Sequence, residues 1–441
     1  MDNPYRTVSD ADKLFYYLFS EEESCSILLN FTLRVPVNKV HLKKAVNEAL
    51  KRYPNFRQTP VLDRDGYLYT KDNDQEAEVY PYDPDPVDFG TKDTNGYLFR
   101  VMFMGKRLWI SVFHSVCDGR GLYMFARTLL YYYFTFGGCN IANPGHFILT
   151  EEVPSDPTEM ADPFAYHKEF NPSAHPAFER KTDNPVFKLP EEVKGVDKCE
   201  YHRKFQYILN TKKFLELAHQ AETSFDAYFN LLVAKTIHDS YDTKGKLIME
   251  LGAVDLRPFY GSHYLQNMRE LFWVPFIEPL FKVPEKFAAL MVRDVLMRSQ
   301  LQKAHYDGIV YQSIESYKEM FNFPLADTEG LKRLRHGLWE DPFFKTTYFC
   351  TNMGPLGLGE DIDPFVEMAD CSAPCLSPHP YFLLVTQGKV TTVNFIQRHF
   401  DKKLALKLLG TFRELGVLEK YVDCGRFESD KLHVRSLVRE K

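Results

Sequence analysis

Cysteine is sparse in this chain, eight in 441 residues, which excludes a disulfide scaffold. Cys371 and Cys375 form one close pair, and no second pair accompanies them to complete a zinc site. No metal is expected, and the pattern suits a reducing cytoplasm. Long apolar runs are missing as well. Without a stretch of about eighteen uninterrupted apolar residues no transmembrane segment is expected, and Met1 to Arg6 lacks the basic flank and apolar core of an export signal. A cytoplasmic location is the resulting expectation. Positive charge is not in excess: 54 Lys and Arg face 60 Asp and Glu, for a net charge of -6 and a pI near 6.2. The cations are dispersed rather than clustered, which argues against a nucleic-acid partner.

What the chain has is apolar and aromatic material. Hydrophobic residues make up 44% and aromatics 15%, and 441 residues exceed the size at which one core usually keeps growing. Two domains are therefore expected, 1–190 and 191–441, in an α/β (α+β sandwich) fold. Amphipathic helices over 8–18 and 38–52 flank a strand from Ser26 to Val35. From Gly137 to about Lys198 the periodicity fades and prolines accumulate (Pro144, Pro154, Pro157, Pro163, Pro172, Pro176, Pro185, Pro190), the mark of a long surface connection, counted here as 138–198. Further on, 201–209, 247–256, 346–351 and 366–369 read as strands, and 211–221, 225–240 and 284–303 as helices. A hairpin of Tyr381–Thr386 and Val390–Phe395 then precedes a last helix, 402–415.

That ending echoes an earlier hairpin. Tyr97–Met104 and Arg107–Phe113 turn around Gly105 and Lys106, and Gly121–Tyr133 carries Leu122, Phe125 and Leu129 at helical spacing. Between hairpin and helix lies Phe113 His114 Ser115 Val116 Cys117 Asp118 Gly119. It places a titratable imidazole at a strand-to-helix corner, where Gly119 would give the backbone freedom.

The spacing His114-x-x-x-Asp118-Gly119 resembles the HxxxDG signature of the chloramphenicol acetyltransferase and condensation-domain superfamily, which includes free-standing alcohol O-acyltransferases. One such match in a chain this long arises by chance about one time in twenty, so its place after a hairpin, a third of the way along, matters. Ala49 Leu50 Lys51 Arg52 Tyr53 Pro54 Asn55 Phe56 Arg57 is similar to the family's first-helix ending. Val254 Asp255 Leu256 Arg257 Pro258 is similar to a strand-end segment, and Cys350 Thr351 Asn352 Met353 Gly354 to its Ser-Asn-x-Gly strand. Phe113 departs from the double His of peptide-synthetase condensation domains. Asp88 Phe89 Gly90 superficially resembles the DFGWG segment of plant acyltransferases, but it precedes the motif, lacks the Trp-Gly ending and reads as a loop.

The resemblance implies two acetyltransferase-like domains forming a pseudo-dimer around an interdomain tunnel. The second half then takes the place of a neighbouring subunit, so a monomer suffices. It implies acyl transfer from an acyl thioester to a hydroxyl or amine of a small molecule, with acyl-CoA as co-substrate and no bound cofactor. His114 would be the general base, since a neutral imidazole suits that task near neutral pH. Asp118 could orient His114 as a triad carboxylate does; in the family it turns away and pairs with an Arg, for which Arg257 is the candidate. Thr351 and Asn352 are candidates for substrate or oxyanion binding, Asn352 equally for holding a nearby loop. Tyr131, Tyr132 and Tyr133 suit either an acyl channel or the core, and Cys117 reads as a packing residue. The alternatives are a free-standing condensation enzyme taking acyl chains from a carrier protein, and an inactive scaffold with the same fold.

Overall fold

The computed structural model describes residues 5–18, 24–142, 148–162, 185–189, 202–295, 303–340, 345–374, 379–398, 401–434 and 437–439. In the first half, β1 (Tyr5–Thr7) and α1 (Asp10–Leu18) precede β2 (Ser26–Leu33) and α2 (Lys39–Arg52). Then follow β3 (Gln58–Leu62), β4 (Leu68–Asp72), β5 (Val79–Pro81), β6 (Phe99–Met104), β7 (Arg107–Phe113) and α3 (Gly119–Phe136). The β6–β7 hairpin turns at Gly105, whose φ of 57° is the left-handed conformation that glycine tolerates. Leu122, Phe125, Ala126 and Leu129 give α3 one apolar face, and they join Leu42, Ala45, Val46 and Ala49 of α2 in a single core.

The second half repeats this plan with insertions. It runs β8 (His202–Asn210), α4 (Thr211–Gln220), α5 (Phe225–Ser240), β9 (Ile248–Asp255), α6 (Arg257–Tyr260) and β10 (Arg269–Phe276). Three helices follow, α7 (Glu285–Asp294), α8 (Lys303–Met320) and α9 (Thr328–Glu340). After them come β11 (Tyr348–Pro355), β12 (Val366–Ser372), β13 (Tyr381–Gln387), β14 (Val390–Gln397), α10 (Lys403–Glu414), β15 (Leu418–Phe427) and β16 (Val438–Arg439). Among the described residues three sheets result, in the orders β1-β4-β3-β16, β12-β2-β7-β6-β5 and β10-β9-β11-β13-β14-β8-β15. The run β2-β7-β6 corresponds to β8-β14-β13, each a hairpin followed by a helix, so the echo between the halves is structural.

The halves are interleaved. β12 comes from the second half yet pairs antiparallel with β2, and β16 pairs with β3. Alternation along β13 places Phe382 and Leu384 in the core under α5 and α10, whereas Leu383 and Val385 join the core of the first half. The connection after α3 also differs from a plain surface tether. Glu159 is buried and accepts from both terminal guanidinium nitrogens of Arg52 at 2.7 Å, and Phe187 and Leu189 are core residues of the second half. Two anchors at opposite ends explain how an aperiodic, proline-rich stretch stays attached. Residues 143–147, 163–184 and 190–198 of that stretch lie outside the described residues, as does Cys375.

Candidate functional site at a strand-to-helix corner

β7 ends in buried Ile110, Val112 and Phe113, and His114 is the next residue. Its amide donates to Cys25 O at 2.7 Å, extending the β2–β7 ladder by one bond, and Val116 N donates to Phe113 O at 3.0 Å to close a turn. Asp118 then caps α3, its carboxylate accepting from Gly121 N at 2.9 Å. Gly121, not Gly119, is the sterically demanding glycine. A Cβ on Gly121 would lie 2.3 Å from Leu265 O, because the first turn of α3 rests on the 264–268 segment. Gly119 is not among the left-handed glycines, so the expected backbone freedom is not used; it begins the helix and leaves room for Met353.

Asp118 and Arg257 meet. Arg257 Nη1 donates to Asp118 Oδ2 at 2.9 Å and Nη2 to Oδ1 at 3.1 Å, with both side chains buried. Arg257 also reaches Asp255, Tyr264 O and Gln266 O. Burial works against the Asp118 carboxylate, but the Arg257 charge and hydrogen bonds outweigh it and hold Asp118 below the ordinary carboxylate value. With Gly121 N and Met268 N as further donors, its oxygens are occupied, and no hydrogen bond joins it to His114. The triad alternative is thereby disfavoured.

The group that does meet His114 is Asn267, a residue the sequence did not single out. Asn267 Nδ2 donates to His114 O and to Asp12 Oδ1, both at 2.8 Å, which turns its carbonyl oxygen toward His114 Nδ1 at 3.1 Å. A carbonyl oxygen only accepts, so Nδ1 carries the hydrogen and the lone pair sits on Nε2. Nε2 has no hydrogen-bond partner among the described residues. Phe15 stacks on the imidazole, centroids 4.0 Å apart and planes within 9°. Burial, with the nearby charge of Arg269, pushes the imidazole down to about 4, so it is neutral at physiological pH. Asp12 takes hydrogen bonds from Ser9, Tyr264 and Asn267 and still has its carboxyl raised to about 6 by burial. It also lines a recess of about 190 Å³ shared with Gln58, Thr70 and Gln266.

Of the second-half candidates, Thr351 is half-buried and shares a 3.0 Å hydrogen bond with the Tyr381 hydroxyl. Asn352 is engaged at both ends, donating to Asp226 Oδ1 at 2.7 Å and accepting from Gly354 N at 2.8 Å. That geometry favours the loop-holding alternative. Tyr133 takes a hydrogen bond from Asn38 N, at the start of α2, and Tyr132 stacks on Phe136. Cys117 is fully buried, and burial pushes its thiol well above the ordinary value. Among the described residues no group of three or more His, Cys, Asp or Glu is placed to hold a metal, and no helix is long and apolar enough to cross a membrane.

No family model matches the sequence, and no curated protein is similar enough in sequence to count as a relative. Solved structures do match over nearly the whole chain. Polyketide synthase associated protein 5 from Mycobacterium tuberculosis superposes with a TM-score of 0.59 at 14% identity, covering 92% of this chain and 96% of that one. The epimerization domain from the third module of tyrocidine synthetase B gives 0.56 at 11%, covering 94% and 97%. Trichothecene 15-O-acetyltransferase from Fusarium sporotrichioides gives 0.55 at 11%, covering 93% and 95%. Fusarium graminearum TRI101, solved with ethyl coenzyme A, gives 0.56 at 14%, covering 95% and 99%. The chain therefore shares the fold of these acetyltransferase and synthetase-domain structures.

Proposed function

We propose that the protein is an acyltransferase that moves an acyl group from an acyl thioester, acyl-CoA in the first instance, to a hydroxyl or amine of a small molecule. The observation that carries this reading is the state of His114: neutral, fixed as the Nδ1–H tautomer by Asn267, and with Nε2 unengaged. In the proposed step Nε2 takes the acceptor proton as the acceptor oxygen or nitrogen attacks the thioester carbonyl. The tetrahedral adduct collapses with loss of the C–S bond, and the proton returns from Nε2 to the departing thiolate. Thr351, on β11 and half open, is the second-half candidate to donate to substrate or oxyanion. Asp118 and Arg257 hold the corner rather than react.

The likeness to proteins described as an acetyltransferase and as bound to coenzyme A derivatives supports the choice of donor. The test is mass spectrometry of products after incubation with a panel of acyl-CoAs and of alcohols and amines. Wild type should form acyl products, and His114→Ala should lower turnover by roughly two to four orders of magnitude while remaining folded. A folded H114A protein with near-normal turnover removes His114 from the mechanism. Absence of transfer from CoA-bound and carrier-bound donors alike overturns the enzyme reading.

A further inference from the structure

Arg269 opens β10 two residues after Asn267. Its guanidinium lies over the Phe15 ring, 5.1 Å from the centroid, and Phe15 is the ring that stacks on His114. Its charge also reaches Tyr317 of α8 and Tyr381 of β13, so it stands among groups from both halves. Arg269 is half-buried and its backbone pairs with Asp255 in the β9–β10 ladder, but among the described residues its guanidinium has no hydrogen bond and no ion pair.

The nearby carboxylates have their hydrogen bonds elsewhere, although Glu270 also feels the Arg269 charge. Asp118 binds Arg257, Gly121 N and Met268 N, and Asp255 also binds Arg257. The oxygens of Asp12 take Ser9, Tyr264 and Asn267, and those of Glu270 take Leu271 N and Ser313. A guanidinium withdrawn from water is ordinarily paired. Here no carboxylate among the described residues forms an ion pair with it, although its charge is felt by the buried Glu270 carboxyl next to it in sequence and works against protonation of His114.

We propose that Arg269 receives a carboxylate carried by one of the two substrates, close to the atoms that react at His114. The proposal rests on the acyltransferase reading and adds a charge requirement to it. A guanidinium presents a planar donor fork suited to a carboxylate. Engaging it would position the substrate and remove the charge that opposes proton uptake by Nε2. Beyond Arg269, the charged groups around the imidazole are Asp118 at its own corner, neutralised by Arg257, and Asp12 of α1 behind Asn267. Neither is free to supply that effect.

Two arms test the proposal in the intact protein. The first needs no turnover: the His114 ring is titrated by NMR with and without saturating benzoate as a carboxylate probe. Benzoate should raise the His114 midpoint by about one pH unit in wild type. In Arg269→Gln the midpoint should already be higher and should not respond. A wild-type midpoint unmoved by benzoate overturns the proposal.

The second arm uses matched substrates: acetyl-CoA with lactate against methyl lactate, and succinyl-CoA against acetyl-CoA with benzyl alcohol. R269Q should lower kcat/KM about ten- to a hundredfold for whichever pair member carries the carboxylate that Arg269 reads. Whatever the change for the neutral member, the charged-to-neutral ratio of kcat/KM should fall by about that factor. The arm that responds tells acceptor carboxylate from acyl carboxylate, and equal losses for charged and neutral members refute the assignment. If no pair reacts, the benzoate titration alone decides whether Arg269 takes a carboxylate, and the acyltransferase reading is decided separately by the full panel of donors and acceptors.

Discussion

Asp118→Asn removes one charge from the corner and turns one of its two accepting oxygens into an NH2 group, which cannot accept from the donors that face it. Asparagine is as good a helix cap as aspartate, so Gly121 N can keep its acceptor. Arg257 makes five side-chain hydrogen bonds; of the two to Asp118 one is lost, because an amide nitrogen cannot accept, and the other is weakened, while Asp255, Tyr264 O and Gln266 O remain. Breaking a buried ion pair by neutralising one partner costs about 3–5 kcal/mol. Because Asp255 stays as a second carboxylate, the low end, about 3 kcal/mol, is expected. For a cooperative unit of 150–250 residues that is a fall in melting temperature of about 6–12 °C. Thermal unfolding followed by circular dichroism measures it, and D118N combined with Arg257→Met should cost less than the two single changes added together. The sign with pH is fixed too. Asp118 titrates lower in the folded protein than the ordinary carboxylate value of about 3.9. Its contribution is therefore complete above about pH 5 and is lost as pH falls through the folded value. A D118N protein melting within a degree of wild type, or a difference that widens toward pH 3, would refute the reasoning.

Three further outcomes are expected. With neutral substrates kcat/KM should stay flat from pH 8 to about pH 5 and fall only near pH 4, because His114 is pushed down to about 4; a bend near 6.5 in the pH–rate profile would contradict this. Gly121→Ala should destabilise by at least about 3 kcal/mol through its clash with the Leu265 carbonyl, while Gly119→Ala meets only the mobile end of Met353 and should change stability by under about 1 kcal/mol, both read by differential scanning fluorimetry. Asp12, raised to about 6, favours the fold while neutral, so its contribution is full below about pH 4 and is lost as pH rises to 6. Asp12→Asn should accordingly gain on wild type by about 2–3 kcal/mol between pH 4 and pH 7, and melting curves showing a constant difference across that range would count against it.

Elements with strong periodicity were legible. The hairpin of β6 and β7, the helix α3 and their second-half counterparts follow from apolar alternation and helical spacing around Gly105 and Gly388. β10 was not, because Glu270 interrupts its apolar run and Pro275 argues against a strand; it is tolerated since β10 is a sheet edge. β15, the opposite edge, is equally disguised by Glu419, Lys420, Asp423 and Gly425. At the site, His114, Asp118 and Arg257 carried recognisable spacing. Asn267, Asp12 and Arg269 did not, since their significance comes from contacts across about 150 or 250 residues of chain rather than from any local pattern. Only the position of Asn267 soon after the Asp255 to Pro258 segment offered a hint.

The corner that presents His114 is built by both halves at once. Its strand and helix belong to the first half, but Gln266 Nε2 donates to Ser115 O, Asn267 to His114 O, and Met268 N to Asp118, all from one segment of the second half. That segment is fixed in turn by Arg257, whose Nε and Nη2 hold the carbonyls of Tyr264 and Gln266. One guanidinium therefore sets the distance between the segment and α3, while Asn267 sets which imidazole nitrogen bears hydrogen. Pairing of β12 with β2 ties the halves together on the neighbouring strand, so the corner cannot shift as a loop would. This division of labour explains why a carboxylate four residues from the histidine makes no contact with it. Asp118 acts on geometry through Arg257 and on His114 only through space, while the electronic state of His114 is set first by burial, then by the charge of Arg269, and its tautomer by Asn267.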